Sequence, residues 1–467
     1  MRKYKVFVAT LLAMLMAGSL CACSTEQHTD AIAESAEDDT TVIKMENDTF
    51  SVEGAGADVK NNVVTISQAG TYIIGGTISD GQIMVNSKQE GRVWLVLKGA
   101  DISCQNSAPI YIKNAEEVVL TLAEGTQNYL SDGESYVYES TEETEPDAAL
   151  FSKADLAING SGTLTITGNY SHAIKAKDTL AIAEATLVLT SVADAVNAKD
   201  ELRIESGSYT IHAGDDALHS DGLLTINGGN IQIEACEEGI EGSSIAINNG
   251  EMAVTSRDDG MNAAGDEEGV THEITISGGK ITLNTSGDGI DSNGAVYLKG
   301  GEVFVYGPTN DGNGSLDYDS EFVVSGGSMI LAGSSGMAQS ASDSSSQNCL
   351  MVAFASQQAA GSTYSITDDA GNVLIEIAPT TTYSCVFYTD KDLEQGVLYH
   401  IHVNGTEVTT VTLAQTITSI SDSGEAITVT GMMGGNGMRG EKGQMPQGER
   451  PQMPEGETPP EMPRDIQ

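Results

Sequence analysis

A short motif returns along the middle of the chain at a nearly constant spacing. An acidic or polar residue followed by a small residue opens each unit, and successive openings lie 22, 22, 22, 21, 29 and 23 residues apart. The openings are His172, Asp194, Asp216, Glu238, Asp259, Asp288 and Asp311. A constant period of this length is typical of repeat architectures, in which each unit packs against its neighbours.

Each unit also contains two pairs of apolar residues separated by a glycine-rich turn. One unit has Leu202 and Ile204, then Gly207, then Tyr209 and Ile211. Period-two alternation bounded by glycine predicts short strands. The simplest structure is a coil of three strands, each paired in parallel with its equivalent one period later, about 4.8 Å away. The sequence therefore predicts an all-β fold, a right-handed parallel β-helix with about 22 residues per coil.

The pattern also predicts where the chain is divided. The β-helix is expected over residues 41–345, followed by a small C-terminal β module or cap over 346–430. Two segments, 131–148 and 264–272, are longer than the period allows and are expected to leave the stack as loops. Residues 431–467 are dominated by Met, Gly, Pro and Glu without an apolar pattern, which predicts a disordered tail.

The first 23 residues have the form of a lipoprotein signal peptide. A basic start and an apolar run lead to the sequence Leu20-Cys21-Ala22-Cys23. We expect Cys23 to be acylated; cleavage nearby and release of a free secreted protein is the alternative. Residues 24–40 are polar and acidic and are expected to form a tether. This predicts an extracellular protein anchored to the bacterial cell membrane through lipid alone, since no later stretch is apolar enough to span a bilayer.

The charge of the chain limits its possible partners. It has 67 acidic and 22 basic residues, which gives a net charge of −45. Such a chain repels nucleic acid and any bare polyanion. A metal cation or a neutral substrate remains compatible with this charge, and the oligomeric state stays open.

Four cysteines besides Cys21 and Cys23 follow in the chain. They are Cys104, Cys236, Cys349 and Cys385. None has the spacing of a metal finger. The last two either form a disulfide in an oxidising compartment or remain buried thiols in the stack.

Acidic residues recur at the openings and beside them, so they should stack into a ladder. Carboxylates about 4.8 Å apart repel by roughly 3 to 4 kcal/mol at an effective dielectric constant of about 20. Calcium is the natural counterion, because it binds six to eight oxygens in flexible geometry; the alternative is that these acids are solvated turn residues. The predicted calcium ligands are Asp194, Asp215, Asp216, Glu237, Glu238, Glu241, Asp258, Asp259, Asn262, Asp288, Asp291 and Asp311.

The repeated Asp-Gly-Ile motif, the lipoprotein-like start and the Gly/Met-rich tail resemble a clostridial family of secreted carbohydrate-binding β-helix proteins. The helix of that family is similar to that of pectate-type polysaccharide lyases, and the resemblance extends over about residues 45–430. It implies calcium along the helix and binding of plant cell-wall polysaccharides, with acidic pectin foremost and cellulose as a further candidate. The sequence departs from the pattern where Glu238 and Glu241 replace shorter acids and where His172 and Lys175 open the series.

Three hypotheses for the function remain. The first is non-catalytic, calcium-dependent binding of polysaccharide at the bacterial cell surface, with Tyr170, Tyr297, Tyr306 and Tyr318 as candidates for stacking on sugar rings. The second is a calcium-dependent polysaccharide lyase that acts by β-elimination on uronates, with Lys175, Lys199 and Arg257 as candidate catalytic residues. The third is a surface adhesin or assembly protein. The sequence favours the first, without catalysis.

Overall fold

The computed structural model describes residues 40–138, 140–265 and 269–428. Within these ranges the backbone forms strands, turns and bends but no helix, so the all-β prediction is confirmed. Accordingly, the described part of the chain has no helix that would be long and apolar enough to cross a membrane. The predicted signal peptide with Cys23, the tether up to residue 39 and the tail from 431 onward lie outside the described residues.

The chain divides into two compact units. The first contains Met1–Gly242 and Ala246–Ala253, and the second contains Ser243–Ile245 and Val254–Gln467. The points of division lie inside the region predicted as β-helix. The predicted boundary between residues 345 and 346 lies within the second unit.

The first unit consists of short strands joined by tight turns. They are β1 (Thr40–Glu46), β2 (Thr49–Glu53), β3 (Ala57–Lys60), β4 (Val63–Ile66), β5 (Gly70–Ile78), β6 (Gln82–Asn86), β7 (Arg92–Cys104), β8 (Ile110–Asn114), β9 (Glu117–Leu122), β10 (Gln127–Asp132), β11 (Ala148–Ser152), β12 (Asp155–Asn159), β13 (Thr163–Gly168), β14 (His172–Ala176), β15 (Thr179–Ile182), β16 (Thr186–Ser191), β17 (Val196–Ala198), β18 (Glu201–Ile204), β19 (Ser208–His212), β20 (Leu218–Ile226) and β21 (Asn230–Cys236). Two further strands, β22 (Ile240–Ile247) and β23 (Glu251–Ser256), contain the points of division.

In the middle of the first unit, strands pair in parallel with the strand three positions further along the chain, whereas long strands such as β20 pair with two preceding strands. β14 pairs with β17, β15 with β18 and β16 with β19. Leu180 pairs with Leu202, and Leu202 pairs with Leu224, so residues 22 positions apart lie side by side. The predicted parallel β-helix of three strands and about 22 residues per coil is thus confirmed in this unit, whereas its right-handed sense stays a prediction.

Alternating side chains of these strands fill the interior of the coil. Leu180, Leu202 and Leu224 have no exposed surface, whereas Arg203, which follows Leu202, is partly exposed. Burial of one such leucine side chain contributes about 1.5 to 3 kcal/mol to folding. The period-two pattern in the sequence therefore separates the core face from the outer face.

One glycine shows why the turns between strands need this residue. Gly207 has a φ of +117°, a region that side chains disfavour. A Cβ atom at this position would lie 2.5 Å from the carbonyl oxygen of Ala185 in the preceding coil. Any larger residue would push the two coils apart at this corner.

The chain enters the stack through two hairpins. β1 pairs antiparallel with β2, and β3 pairs antiparallel with β4. One strand of each hairpin also joins the parallel stack, since β1 pairs with β5 and β4 pairs with β6. Residues 40–66 therefore combine a hairpin edge with the first parallel pairings.

The second unit begins with further coils. Its strands are β24 (Met261–Ala263), β25 (Glu273–Ile276), β26 (Lys280–Asn284), β27 (Ile290–Ser292), β28 (Ala295–Leu298), β29 (Glu302–Tyr306), β30 (Asp317–Tyr318), β31 (Glu321–Val324), β32 (Ser328–Gly333), β33 (Cys349–Gln358), β34 (Tyr364–Asp368), β35 (Val373–Ile377), β36 (Tyr383–Thr389), β37 (Leu398–Val403), β38 (Thr406–Thr412) and β39 (Ile417–Ser421). The three-strand parallel pattern continues in β24–β27–β30, β25–β28–β31 and β26–β29–β32.

The pairing changes after β32. β32 pairs antiparallel with β36, which also pairs antiparallel with β33. A separate antiparallel sheet has the order β35-β34-β37-β38. The predicted small C-terminal β module is confirmed, and it covers the edge that β32 would otherwise leave unpaired.

The four cysteines of the described chain are buried and form no disulfide with one another. Cys349 lies opposite Thr389, and Cys385 lies opposite Ala353, so the two thiols occupy different positions along the paired strands. Of the two alternatives left by the sequence, the structure has the buried thiols.

The core assignment predicts unequal effects for two neighbouring leucines. Leu202→Ala should lower the free energy of unfolding by about 2 to 5 kcal/mol, because it leaves a cavity in the coil. Leu223→Ala is the matched control, since this side chain is 41% exposed, and it should change stability by less than about 0.5 kcal/mol. Urea unfolding followed by circular dichroism measures both, and equal losses would contradict the assignment.

Candidate functional site

At one outward-facing position, the residue type changes from apolar to polar along successive coils of the first unit. We call the residues at this position the outer column; in register order they are Met84, Tyr111, Phe151, Lys175, Asn197 and His219. Tyr111 and Phe151 are buried in a small cluster with Ala108 and Ala148. From Lys175 onward the outer column is polar, and there it meets the acidic openings.

The opening aspartates also stabilise the stacking of coils. In the first unit the backbone N–H of Asp216 donates to Oδ1 of Asp194 at 3.3 Å. In the second unit the N–H of Asp288 donates to Asp259 at 2.6 Å, and the N–H of Gly314 donates to Asp288 at 2.5 Å. Each of these three carboxylates thus uses one oxygen to bind the next coil, which leaves its second oxygen for another partner.

Three groups of side chains have the arrangement of a metal site. Their ligand atoms lie within 4.8 Å of one another. They are Asp194–Asp216–His219 and Asp216–Glu238–Glu241 in the first unit and Asp259–Asp288–Asp291 in the second. Seven of the predicted ligands are therefore brought together, along with His219, and the acids come from successive coils.

The last two groups fit calcium. They offer only carboxylate oxygens, and two oxygens on opposite sides of a Ca²⁺ ion at about 2.4 Å lie about 4.8 Å apart. In the second unit Gly287 lies against the carboxylates of Asp258 and Asp259, where a Cβ would collide with them. The group with His219 fits calcium less well, because a ring nitrogen replaces one oxygen.

Burial makes this ladder electrostatically costly. It raises the pKa of Asp216 to about 8 and that of Asp288 to about 6. Burial, followed by the charges of neighbouring acids, also raises the pKa of Asp215. A bound cation would relieve this cost, because it favours the ionised form of each carboxyl group.

His219 supplies one internal positive charge. Burial opposes protonation of its ring, but hydrogen bonds with Asp216 and Glu241 outweigh it and raise the pKa of His219 to about 11. The Nδ1 atom lies 3.0 Å from Asp216 and 2.6 Å from Glu241. The hydrogen bond to His219 in turn lowers the pKa of Glu241.

At the N-terminal end of the acidic ladder, Lys175 forms an ion pair with Asp147. Its Nζ atom lies 2.7 Å from Oδ2 of Asp147 and 3.1 Å from Nε2 of His172. His172 Nδ1 in turn lies 3.2 Å from Asp194, and the amide of Asn197 donates to the same carboxylate at 2.6 Å. Burial would raise the pKa of Asp194, but the contacts with His172 and Asn197 and the charge of His219 together outweigh it, and the pKa is lowered. At this end of the ladder, side chains of the protein itself therefore stabilise the carboxylates of Asp147 and Asp194.

The remaining predicted ligands lie around these groups. Asp215 and Asp258, which precede two openings, are exposed, and Glu237 is half-buried. Asn262 pairs in register with Asp291 and is half-buried. Asp311 is exposed and accepts a hydrogen bond from Ser334 at 2.5 Å.

Two residues beside the predicted ligands were not predicted from the sequence. Asp317 pairs in register with Asp291, and burial raises its pKa. His219 joins a group although the predicted ligands were oxygen donors. A count of three residues from each opening finds His219, but it misses Asp317, because the unit that opens at Asp311 has additional residues before its strand.

In the first unit the candidate sugar-stacking residue Tyr170 is part of an aromatic cluster. Its ring stacks on Tyr136 with centroids 4.3 Å apart and planes inclined by 17°. Its hydroxyl lies 3.4 Å from that of Tyr138. One face of Tyr170 is thus covered by Tyr136.

In the second unit the other three tyrosines also have protein contacts. Lys299 Nζ lies 5.1 Å from the ring centroid of Tyr297. Tyr306 packs against the core of the C-terminal module, and the hydroxyl of Tyr318 donates to the carbonyl of Ser340 at 2.7 Å.

The candidate catalytic residues lie in different units. Lys175 and Lys199 belong to the first unit, and Arg257 belongs to the second. Lys175 is held in the ion pair with Asp147. Lys199 is exposed and forms no ion pair within the described ranges.

Comparisons with known proteins match the chain to a family, to a curated relative and to a solved structure. A family model described as "Carbohydrate-binding domain-containing protein" matches residues 60–306 and 215–374, which together exceed half of the chain. A protein of that description from Acetivibrio thermocellus is 33% identical over 188 residues, or 40% of this chain and 65% of that relative. The chain thus spans less than two thirds of the length of this curated relative. The structure of the polysaccharide lyase-like protein from C. thermocellum, a gadolinium derivative, is 28% identical, with 61% of this chain and 97% of that chain covered and a TM-score of 0.40.

Asp216→Asn should change how the stability of the metal-free protein depends on pH. Because burial raises the pKa of Asp216 to about 8, the folded protein retains this proton up to a higher pH than the unfolded chain, whose carboxyl titrates near about 4. Between about pH 4 and 8 the wild type should therefore lose stability relative to the variant as pH rises. Thermal melts of both proteins in chelator at pH 5 and pH 8 measure this difference.

Asp58→Asn is the control for this experiment, since Asp58 is an exposed acid on β3. Its melting temperature should follow that of the wild type at both pH values. Parallel shifts for the wild type and Asp216→Asn would show that the buried carboxyl does not titrate in this range.

Proposed function

Because the chain belongs to the family of carbohydrate-binding domain-containing proteins, we propose that it binds polysaccharide through calcium ions held on its acidic ladder. The observation that carries this proposal is the pair of oxygen-only groups, Asp216–Glu238–Glu241 and Asp259–Asp288–Asp291. Both combine acids from successive coils within the spacing that a calcium ion requires.

Calcium would resolve the conflict between the charge of the chain and an acidic ligand. A net charge of −45 repels a polyuronate. A bound divalent ion reverses the local sign and supplies open coordination positions for carboxylate and hydroxyl oxygens of a glycan. Glu238, Glu241 and Asp291 are only half-buried, so ions on these residues would remain accessible from solvent. Acidic pectin-type polysaccharide is therefore the preferred ligand class, with cellulose as a further candidate.

We place this binding at the bacterial cell surface. The support is the basic and apolar start of the sequence followed by Leu20-Cys21-Ala22-Cys23. Acylation of Cys23 and an acidic tether would hold the β-helix outside the membrane. A polysaccharide caught on the ladder would then be retained at the cell.

A calcium-dependent lyase is the second candidate. β-Elimination on a uronate needs a base close to the metal-bound carboxylate. Exposed Lys199 is the observation that keeps this candidate, whereas the ion pair of Lys175 with Asp147 disfavours that lysine as the base. A surface adhesin with a protein partner would show neither polysaccharide retention nor product formation.

Retention on polygalacturonate in calcium and in excess chelator tests the proposal. The wild type should be retained more strongly in calcium, and Asp288→Asn should weaken calcium binding by about tenfold or more, because it removes a charged ligand from the group in the second unit. Affinity electrophoresis measures retention, and titration calorimetry measures the calcium affinity. Absorbance of unsaturated product is recorded in the same samples.

Asp58→Asn again provides the matched control, with unchanged affinity for calcium. Retention that is equal in calcium and chelator would contradict the calcium ladder. Product formation that is lost in Lys199→Ala would establish the lyase. Absence of retention on any polysaccharide would favour the adhesin.

Lys175→Asn tests whether the ammonium group takes the place of a metal ion. Without calcium the variant should lose about 1 to 3 kcal/mol of stability, since Asp147 loses its positive partner. Calcium should restore more stability to the variant than to the wild type, because an amide oxygen can act as a ligand. Calorimetric unfolding with and without calcium measures this, and Lys199→Asn, which breaks no ion pair, is the control. An identical calcium effect on wild type and variant would contradict the substitution of Lys175 for a metal.

A further inference from the structure

A cleft of about 460 Å³ lies beside the segment 133–147 in the first unit. Its wall includes Tyr111 and Tyr138 together with Met84. Asn106, Lys113 and Lys153 supply polar groups to the same wall. Aromatic surface combined with a few polar groups in a cavity of this size is the usual form of a small-ligand site.

The lysines of the cleft belong to a column that follows the coils. Ile112 pairs with Ser152, Ser152 with Ala176 and Ala176 with Ala198, and each of these residues is followed by a lysine. We call Lys113, Lys153, Lys177 and Lys199 the lysine column. Its members are about 4.8 Å apart in backbone spacing, so a chain with 22 basic residues places four of them in one row.

Part of this column already binds a carboxylate. Lys153 Nζ lies 2.9 Å from Oε2 of Glu145, and Lys177 Nζ lies 2.7 Å from Oε1 of the same side chain. Two lysines of adjacent coils therefore hold one carboxylate between them. Lys113, one coil before Lys153, forms no ion pair with any described residue and is exposed at the cleft.

Of the remaining groups of the cleft, Tyr138 is held in place by the protein, and the side chain of Asn106 is available to a ligand. The hydroxyl of Tyr138 donates to the carbonyl of Pro146 at 2.9 Å, which fixes its ring. A ring already held in one orientation loses little conformational entropy on binding. Asn106 fixes the segment through its backbone carbonyl, which accepts from Val137 N–H at 2.9 Å, while its exposed side chain has no hydrogen bond with a described residue.

We propose that this cleft binds a carboxylate-bearing sugar residue, with Lys113 holding the carboxylate, Asn106 a hydroxyl group and the ring of Tyr138 the apolar face of the sugar. Lys113 would bind the ligand as Lys153 binds Glu145. The inference rests on the proposed function for the class of ligand, but it assigns a second site that needs no calcium and lies apart from the acidic groups.

Acids at the rim limit what the cleft accepts. Glu142 and Glu143 are exposed and line its edge. Asp178 and Asp200 directly follow two lysines of the column. A long polyanion lying across the surface would meet these acids, whereas a sugar seated in the cleft reaches Lys113. The cleft is therefore suited to a short stretch of polyuronate rather than to any polyanion.

Binding of a galacturonate oligosaccharide in excess chelator tests the site, because the calcium groups are then empty. Lys113→Glu should weaken binding about tenfold or more, which corresponds to loss of one charge-assisted hydrogen bond of about 1.4 kcal/mol. Tyr138→Ala should also weaken it. Glu143→Gln should strengthen it, since one repelling charge is removed. Titration calorimetry at about 0.15 M salt, where charges beyond about 8 Å are screened, measures these affinities.

Lys60→Glu is the matched control, because Lys60 is an exposed lysine outside the cleft; its affinity should equal that of the wild type. Absence of binding by the wild type in chelator, equal binding by Lys113→Glu, or equal binding of the methyl-esterified oligosaccharide or of polyphosphate would overturn the inference. Any of these results leaves calcium-dependent retention to be judged separately. Conversely, loss of calcium dependence with an intact Lys113 effect would overturn the proposed function and keep the cleft.

Discussion

Parallel pairing of one coil on the next is the constraint from which the other features follow. It places each residue beside its equivalent one period later, so any side chain repeated in the sequence becomes a physical row. Leu180, Leu202 and Leu224 form such a row inside the coil. The same pairing on the outer face creates rows of acids and of lysines, whether or not such rows are favourable by themselves.

The charged rows show how the fold deals with this consequence. At the N-terminal end of the ladder Lys175 pairs with Asp147, and contacts with His172 and Asn197 help to lower the pKa of Asp194. One coil further His219 contributes a positive charge, yet burial still raises the pKa of Asp216. In the second unit burial also raises the pKa of Asp288, which belongs to the oxygen-only group there. A divalent cation would continue the neutralisation that the side chains begin.

The sequence predicts the coils well because their signals are local. Alternating apolar residues and recurring openings specify strand, face and register together, and the strand pairings confirm them. Segments inserted into a repeat unit shift the spacing, so the sequence alone no longer shows which residues lie side by side. Lys113 and Lys153 are 40 residues apart in the sequence although they occupy adjacent coils, and the segment between them hides their relation. Asp317 was missed for the same reason.

The repeat pattern also does not predict contacts made by loops. Tyr136 lies in a segment without periodicity, so its stacking on Tyr170 depends on how that segment folds back. The path of such a segment is decided by tertiary packing rather than by local propensity. The groups that required this packing, such as the ion pairs of Glu145, became visible only in the structure.

The hydrogen bond between successive openings affects how such a protein can gain or lose whole coils. Asp259 accepts the N–H of Asp288, and Asp288 accepts the N–H of Gly314, so each coil provides the acceptor that seats the coil after it. Duplication of a whole coil would add one opening acid together with the acceptor for the next coil, without disturbing the geometry of the existing openings. Valency for a repeating ligand could then be adjusted in single steps, and avidity would grow without any new type of contact.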